Sequence, residues 1–315
     1  MNNRRLVIGS RSSALALVQT RHVIRELEKV YPEQGFEIKI IKTTGDKILD
    51  VDLNRIGDKG LFTKEIEEAL LKGEIDLAVH SAKDLPTVLP RGIKLAVVTW
   101  REDPRDAIVS KQGFTVKTLP RASRIGTSSL RRRAQILHER EDLDVLSLRG
   151  NLDTRIKKLE SGLYDAIVAA CAGIKRLGFP AGLVVVPEED MLPQAGQGAL
   201  GIETREDDKK IDSLIRKLDD EDSHLAVEAE RAFLAGVEGG CQVPIGVYAK
   251  IKNNEISIKS GIFSLDGKRA VRDEITGLKK DAETLGRRLA QNMLKGEIAR
   301  CILDEVRKKG SDPSF

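Results

Sequence analysis

Aromatic residues are scarce in this sequence, since Phe, Trp and Tyr together make up 3% of its 315 residues. Proteins that bind single-stranded nucleic acid stack bases on aromatic side chains, so this scarcity argues against that function. A large charge of one sign is also missing, because 53 Lys and Arg residues stand against 49 Asp and Glu residues. The resulting net charge of +4 gives no reason to expect non-specific nucleic-acid binding.

Long apolar runs and paired cysteines are missing as well. No run approaches the roughly 20 residues of a membrane-spanning helix, and the apolar stretch at 6–8 is too short for a secretion signal. The three cysteines, Cys171, Cys241 and Cys301, are an odd number. We therefore expect a reduced, cytoplasmic protein without a disulfide framework. No spacing of His, Cys and carboxylates is typical of a zinc site, so no metal is expected.

Alternation of strand-like and helix-like segments predicts an α/β fold for the first two thirds of the chain. One unit is predicted for residues 1–99, completed by residues 200–219, because 199–203 reads as a strand that returns to it. A second unit is predicted for residues 100–199. Beyond residue 220, one helix, three alternating strands and two amphipathic helices predict a small α+β domain that ends at residue 315.

Polar side chains follow the predicted strands of the first unit. Arg11 and Ser13 lie in a serine-rich turn between a strand and a helix, where free backbone N–H groups make a ready anion site. An ordinary helix cap explains this turn better when it is taken alone. Ser81, Lys83 and Asp84 follow the strand at 75–79, and ligands of open α/β sheets bind at the carboxyl ends of strands.

Arginines accumulate at the corresponding turns of the second unit. Residues 131–133 are all arginine and open a helix directly after Thr127 and Ser129, where the helix dipole disfavours cations. Bound anions would compensate them, and guanidinium groups pair well with carboxylate or phosphate. Arg149, Arg155 and Arg176 lie at similar turns. A solvated charged face is the alternative interpretation.

A cysteine loop marks the start of the third segment. Cys241 follows Gly239 and Gly240 and precedes Pro244, a pattern typical of a loop that another group can approach closely. A thiol displayed in this way could serve as a nucleophile or a covalent tether. A small buried hydrophobe is the alternative, since most free cysteines are of that kind.

Taken together, these stretches resemble the porphobilinogen deaminases, also called hydroxymethylbilane synthases. The matching segments occur in the same order between residues 8 and 246. They are SRSSALAL (10–17), GLFTKE (60–65), HSAKDLP (80–86), REDPRD (101–106), GTSSLRR (126–132), LRGN (148–151), YDA (164–166), QG (197–198) and EGGCQVPIG (238–246).

The resemblance implies two periplasmic-binding-protein-like α/β domains around a cleft, a small α+β C-terminal domain, and a dipyrromethane cofactor on Cys241. Porphobilinogen, a pyrrole with acetate and propionate groups, would be the substrate, and a monomer without nucleic-acid or membrane partners is expected. Asp84 would stabilise the cation formed as ammonia leaves, and nearby positive charge should keep it ionised. The residues implied to bind cofactor and substrate are Arg11, Ser13, Ser81, Lys83, Thr127, Ser129, Arg131, Arg132, Arg149, Asn151, Arg155, Arg176 and Gln197.

A loop at the cleft mouth is implied to contain Arg55, Lys59 and Phe62, although the family pattern has lysine where this chain has Arg55. Arg133 receives no role from the resemblance. The competing hypothesis is a non-catalytic, two-lobed anion-binding protein, which rests on fold analogy alone. A nucleic-acid binder using residues 131–133 is the third possibility, but it lacks aromatics and a strongly basic composition.

Overall fold

The computed structural model describes residues 4–47, 60–237 and 243–310. Its first sheet has the strand order β2-β1-β3-β10-β4, in which β1 is parallel to β2 and β3, and β10 is antiparallel to both neighbours. Helices from the same part of the chain accompany this sheet. The elements are β1 (Leu6–Ser10), α1 (Ala14–Val30), β2 (Phe36–Ile40), α2 (Thr44–Lys47), α3 (Lys64–Leu71), β3 (Leu77–Ser81), β4 (Ile93–Val98), β10 (Leu200–Arg205) and α7 (Lys209–Ile215).

The second sheet repeats this plan with the order β7-β6-β8-β5-β9, where β6 is parallel to β7 and β8 and β5 is antiparallel to both neighbours. Its elements are β5 (Asp106–Ser110), β6 (Arg124–Gly126), α4 (Leu130–Glu139), β7 (Asp144–Leu146), α5 (Leu152–Glu160), β8 (Ala166–Ala170), α6 (Cys171–Leu177) and β9 (Val184–Glu188).

Two crossings of the chain connect the sheets. Residues 99–105 lead from β4 into β5, and residues 189–199 lead from β9 back to β10, which inserts between β3 and β4. The predicted return of the chain to the first unit is therefore confirmed. The repeated order, with one antiparallel strand inserted by a crossing, is the architecture of a periplasmic-binding-protein-like pair.

The two crossings contact each other closely through glycine. Gly198 has φ +95°, and a Cβ there would lie 2.3 Å from the carbonyl oxygen of Glu102 in the other crossing. Gly196 has φ +73°, and its Cβ would lie 3.0 Å from the backbone nitrogen of Lys83. A side chain at either position would be strained and would push the segments apart.

The last third forms an α+β unit around a three-stranded antiparallel sheet, as predicted. Phe233, Ile258, Leu289 and Ile302 are fully buried in its core. Its elements are α8 (Glu221–Gly236), β11 (Ile245–Lys252), β12 (Glu255–Phe263), β13 (Ala270–Leu278), α9 (Ala282–Lys295) and α10 (Glu297–Gly310).

Some elements differ from the sequence-based expectation. Strands β5 and β9 and helix α7 are not predicted from the sequence, and residues 44–47 form the short helix α2. β5 pairs with β8 on one side and with β9 on the other, so β5 and β9 pair with strands that are not their neighbours in sequence. The domain boundaries at 99, 199 and 219 remain predictions. No helix in the described ranges is long and apolar enough to cross a membrane.

Candidate active site

A hydrogen-bonded chain joins the carboxyl edge of the first sheet to the second. Lys83 lies in the 3₁₀ turn after β3, and its Nζ donates to Gln197 Oε1 at 3.2 Å. Gln197 Nε2 in turn donates to Asp106 Oδ1 at 2.9 Å. Because Gln197 lies in the returning crossing and Asp106 begins β5, this contact brings two predicted site residues, Lys83 and Gln197, to the junction of the two units.

Asp106 also holds the two arginines that open α4. Arg131 Nη1 donates to its Oδ2 at 2.7 Å, and Arg132 Nη2 donates to its Oδ1 at 2.7 Å. All three residues are buried. The compensation expected from a bound anion is therefore supplied, for these two arginines, by a carboxylate of the protein. Arg133 differs, because it is exposed and its Nη1 donates to the Val145 carbonyl.

The cluster contains more positive than negative charge. Burial alone would raise the pKa of Asp106, but Arg131 and Arg132 hold it well below the usual range of a carboxyl group. Burial, followed by the charges of Arg132 and Arg131, lowers the pKa of Lys83 to about 8 against the opposing charges of Asp84 and Asp106. Three cationic side chains thus face one fully buried carboxylate, an imbalance that favours an anionic ligand.

A small cavity of about 50 Å³ lies beside this cluster at the edge of the first sheet. Asp84 is exposed at its rim, as the last residue of the turn that contains Lys83. Four further predicted residues line it: Arg11, Ser13, Ser81 and Phe62. The structure therefore brings the predicted acid and the predicted serine-rich turn together.

Arg11 is held in place by an acid that the sequence interpretation did not include. Its Nη2 donates to Asp46 at 2.6 Å, and its guanidinium lies 4.1 Å from the centre of the Phe62 ring. Burial raises the pKa of Asp46, but hydrogen bonds from Arg11 and Thr43 outweigh it, so the pKa is lowered overall. Arg11 therefore faces the cavity from a preformed position.

Several predicted hydroxyl and amide residues are helix caps. The side chains of Ser13, Ser129 and Asn151 accept from the backbone N–H groups of the first turns of α1, α4 and α5. Thr127 is buried and accepts from the Ser129 N–H at 3.2 Å. Ser13, Ser129 and Asn151 are therefore ordinary helix caps, and they lie at the sheet edges where a ligand would bind.

The remaining predicted arginines lie around the same junction and are half-buried. Burial and, to a smaller extent, the positive charge of Arg132 lower the pKa of Arg155 to about 10. The two guanidinium groups therefore repel each other. Arg176 Nη2 donates to the Gly198 carbonyl at 2.7 Å, next to Gln197. Arg149 follows β7, two residues before the Asn151 cap.

Helix α8 contacts both the crossings and the Asp84 turn. Glu230 is fully buried, accepts from Arg101 Nη1 at 2.7 Å and from the Gly196 N–H at 2.7 Å, and so binds one residue of each crossing. The next residue, Arg231, donates from Nη2 to the Pro86 carbonyl at 2.6 Å, two residues after Asp84. The helix that precedes the Cys241 loop is thus fastened to the junction.

Comparison with known proteins shows the family of the chain. A family profile described as "Porphobilinogen deaminase, dipyromethane cofactor binding domain" matches residues 6–213, and the family's C-terminal domain matches residues 224–295. The chain belongs to the porphobilinogen deaminase family. The porphobilinogen deaminase of Carboxydothermus hydrogenoformans is 49% identical over 311 residues, which cover 98% of this chain and 99% of that protein. That of Geobacillus kaustophilus is 47% identical over 311 residues, 98% and 100% of the two chains.

Solved structures that resemble this porphobilinogen deaminase family member at low sequence identity include two binding proteins. A probable amino-acid transporter binding protein from Bacillus subtilis gives a TM-score of 0.44 at 13% identity, covering 68% of this chain and 90% of the other. The aliphatic sulphonate binding protein SsuA from Escherichia coli gives 0.42 at 16% identity, covering 74% and 70%.

The cofactor of the porphobilinogen deaminase family is a dipyrromethane, and the matched domain is named for it. The predicted tether, Cys241, and two predicted loop residues, Arg55 and Lys59, lie outside the described residues. Of the other cysteines, Cys171 is buried, and burial raises its pKa to about 12, whereas Cys301 is exposed on α10. In the described ranges, no group of three or more His, Cys, Asp or Glu side chains could hold a metal ion.

Sequence interpretation missed Asp106, Asp46 and Gln19. Gln19 is buried in α1 and donates to Ser81 Oγ at 2.8 Å. Asp106 lies within the 101–106 stretch that matches the family. It is an acid directly before an apolar stretch, and this was the one local feature that could have marked it as a site residue. Its partners, however, lie 25, 26 and 91 residues away along the chain, so no local pattern could identify them.

Proposed function

We propose that this chain joins four porphobilinogen units head to tail into linear hydroxymethylbilane, with release of ammonia, on a dipyrromethane cofactor held by Cys241. One observation carries the assignment of the site. The cluster of the buried Arg131 and Arg132 with the half-buried Lys83 has one carboxylate, Asp106, for three cationic groups, and it lies beside the exposed Asp84. Such a site suits a ligand with carboxylates at its periphery and a positive charge developing at its centre.

The residues present fit the cofactor. A dipyrromethane has acetate and propionate groups, and the excess positive charge of the cluster would be neutralised by them. We propose that Lys83, Arg131 and Arg132 hold these groups, helped by Thr127, Ser129 and Gln197. When bound, the cofactor supplies the free α-carbon from which the product chain grows.

The substrate's carboxylates would be held by the arginines around the cluster, which include Arg11, Arg149, Arg155 and Arg176. Ser13, Ser81 and Asn151 lie at the same edges and would assist. Guanidinium groups bind carboxylates through two parallel hydrogen bonds, so they fix orientation as well as position. Orientation matters here because a carbon of one pyrrole must reach a carbon of the next.

Asp84 would act at the reacting ring. As the carbon–nitrogen bond of porphobilinogen breaks, ammonia leaves with the bonding electrons and positive charge spreads over the pyrrole. A carboxylate near the pyrrole N–H stabilises that charge, and a fixed charge of this kind costs no reorganisation during the reaction. The α-carbon of the growing chain then bonds to the cationic carbon, and loss of its proton restores the aromatic ring.

We further propose that the chain acts as a cytoplasmic monomer on a small-molecule substrate, without a nucleic-acid or membrane partner. Light scattering during size-exclusion chromatography would test the monomer, and cell fractionation would test the location. Arg55, Lys59 and Phe62 are proposed to belong to a loop at the cleft mouth, and the Phe62 ring packs on Arg11.

The intact mass of the purified chain tests the function. Wild-type protein should carry an excess mass equal to one dipyrromethane, and Cys241→Ser should lack it, since a serine hydroxyl cannot replace the thiolate as tether. Cys301→Ser is the matched control because that thiol is exposed on a distant helix, and it should keep the excess mass and the turnover. A wild-type chain without added mass and without turnover would favour the two-lobed anion-binding protein instead.

A further inference from the structure

Asp106 is a buried carboxylate in contact with two of the predicted ligand-binding arginines. We infer, on the basis of the function proposed above, that Asp106 is a positioning residue that orients Arg131 and Arg132 and thereby prepares the site for a pyrrole carboxylate. The inference rests on three features: its saturated hydrogen bonding, the unequal use of the two guanidinium groups, and the charge balance around Lys83.

Hydrogen bonding leaves Asp106 no role in direct contact with a ligand. Its Oδ1 accepts from Arg132 Nε at 3.1 Å, Arg132 Nη2 at 2.7 Å and Gln197 Nε2 at 2.9 Å, while its Oδ2 accepts from Arg131 Nη1 at 2.7 Å. The residue is 0% exposed. Because both oxygens are occupied by protein donors, Asp106 acts through the side chains that it holds.

The two guanidinium groups are used differently. Arg132 is bound on two sides, since it donates to Asp106 and, from Nη1, to the Val168 carbonyl at 3.2 Å. Arg131 donates from Nη1 alone to both Asp106 and the Leu192 carbonyl, at 2.7 and 2.6 Å. Its Nε is buried and has no hydrogen-bond partner among the described residues. A buried N–H without a partner is costly, and a ligand carboxylate would satisfy it.

Asp106 also sets the charge felt by Lys83. Arg131 and Arg132 approach Lys83 from α4, Asp84 belongs to the same turn, and Asp106 approaches from β5, while the neutral Gln197 joins Lys83 to Asp106. Removing the negative charge of Asp106 would leave the repulsion from both arginines less opposed. Lys83 would then lose its proton at a lower pH.

The decisive variant is Asp106→Asn in the full chain, which keeps the shape and removes the charge. We expect the fraction of chains with the dipyrromethane mass to fall, and kcat/KM of the loaded fraction to fall roughly 10- to 100-fold, the cost typical of losing a group that orients a ligand-binding residue. The alkaline limb of its cofactor-loading profile should move to lower pH. Asp106→Glu restores the charge and should recover part of both losses.

Asp165→Asn is the matched control, because Asp165 pairs with Arg124 at 2.9 Å in the same unit but on the surface. It should leave loading, kcat/KM and the pH profile unchanged. If Asp106→Asn does not fold, as judged by circular dichroism, Gln197→Leu removes one Asp106 contact, together with the Lys83 and Pro104 contacts of Gln197, without unpairing either arginine. Gln197→Leu should show smaller losses of loading and kcat/KM and a smaller shift of the alkaline limb.

Two results would overturn the inference. One is an Asp106→Asn chain, or a folded Gln197→Leu chain in its place, that loads and turns over like Asp165→Asn. The other is reduced activity with an unmoved alkaline limb and no recovery in Asp106→Glu, which would indicate a structural role only. Failure of the proposed function looks different, since wild-type protein itself would then lack the dipyrromethane mass.

Discussion

Lys83 provides a direct test of the site because its charge should change within the working pH range. Its pKa is lowered to about 8, first by burial and then by Arg132, while Asp84 opposes the effect. About half of the Lys83 side chains are then charged at pH 8 and about one tenth at pH 9. The carboxylates of the cofactor bind the charged form, so the rate constant for loading the cofactor-free chain should fall about tenfold per pH unit above pH 8.

The direction of this effect follows from the protonation states. Below pH 8 the cofactor-free chain already carries the Lys83 charge, so the loading rate should not change with the charge of Lys83. A bound carboxylate favours the ammonium form and raises its pKa, which means that kcat/KM of the loaded enzyme should show the alkaline limb at higher pH or not at all. The loading profile reports the cofactor-free chain and the turnover profile reports the loaded enzyme, so the two should separate.

The assays are the rate at which cofactor-free chain acquires the dipyrromethane mass, and steady-state turnover of porphobilinogen by loaded enzyme, both between pH 6.5 and 9.5. Lys83→Arg retains a cation throughout this range, because a guanidinium does not lose its proton there, and it should abolish the limb of the loading profile near pH 8. Lys94→Arg is the control, since Lys94 pairs with Asp212 on another part of the first unit and should not alter either profile. A limb that persists in Lys83→Arg, or that is equal in loading and in turnover, would refute the reasoning.

Three further predictions follow from the described contacts. Asp84→Asn should lower kcat roughly 100- to 1,000-fold on loaded enzyme while Asp84→Glu keeps measurable turnover, and a loss of only a few-fold in Asp84→Asn would reduce it to a salt-bridge partner. Arg131→Leu should block cofactor loading whereas Arg11→Leu should load and then stall, so identical bands for both on native gels with substrate would contradict staged roles. Burial raises the pKa of Glu67 above the usual 4.5 of a glutamate. The folded state therefore keeps a proton that the unfolded state has lost, and stability falls as pH rises from about 4.5 through the raised pKa. Glu67→Gln should therefore raise the thermal midpoint at pH 8 more than at pH 5, and equal shifts at both pH values would contradict this.

The sequence predicts much of the fold because local patterns determine most of it. Apolar strands followed by capped helices identify β1, β3, β6 and β8 and their helices, and the glycine-rich crossing predicts the return of β10. Strands β5 and β9 are different, since their pairing depends on partners distant in sequence. Tertiary contacts, not local propensity, stabilise such short strands.

The site residues also fall into those that local sequence predicts and those that depend on distant partners. The residue types and their positions at strand ends predict Asp84, Lys83 and the arginines, because the carboxyl ends of parallel strands share one edge. Whether a cation at a helix start faces a ligand or a protein carboxylate cannot be read from the helix itself. Arg131 and Arg132 receive their counter-ion from Asp106, on a strand that the sequence did not predict.

Helix α8 explains how a covalent tether in the third segment can serve a site built by the other two. Glu230 fastens the helix to both crossings, and Arg231 fastens it to the backbone that follows Asp84. A buried acid bound by a guanidinium and two backbone N–H groups is well compensated, so this contact is rigid. The chain that leaves α8 toward Cys241 therefore departs from a point fixed relative to Asp84 and to the Asp106 cluster. With the cofactor attached at Cys241 as proposed above, its reach toward Asp84 starts from this point.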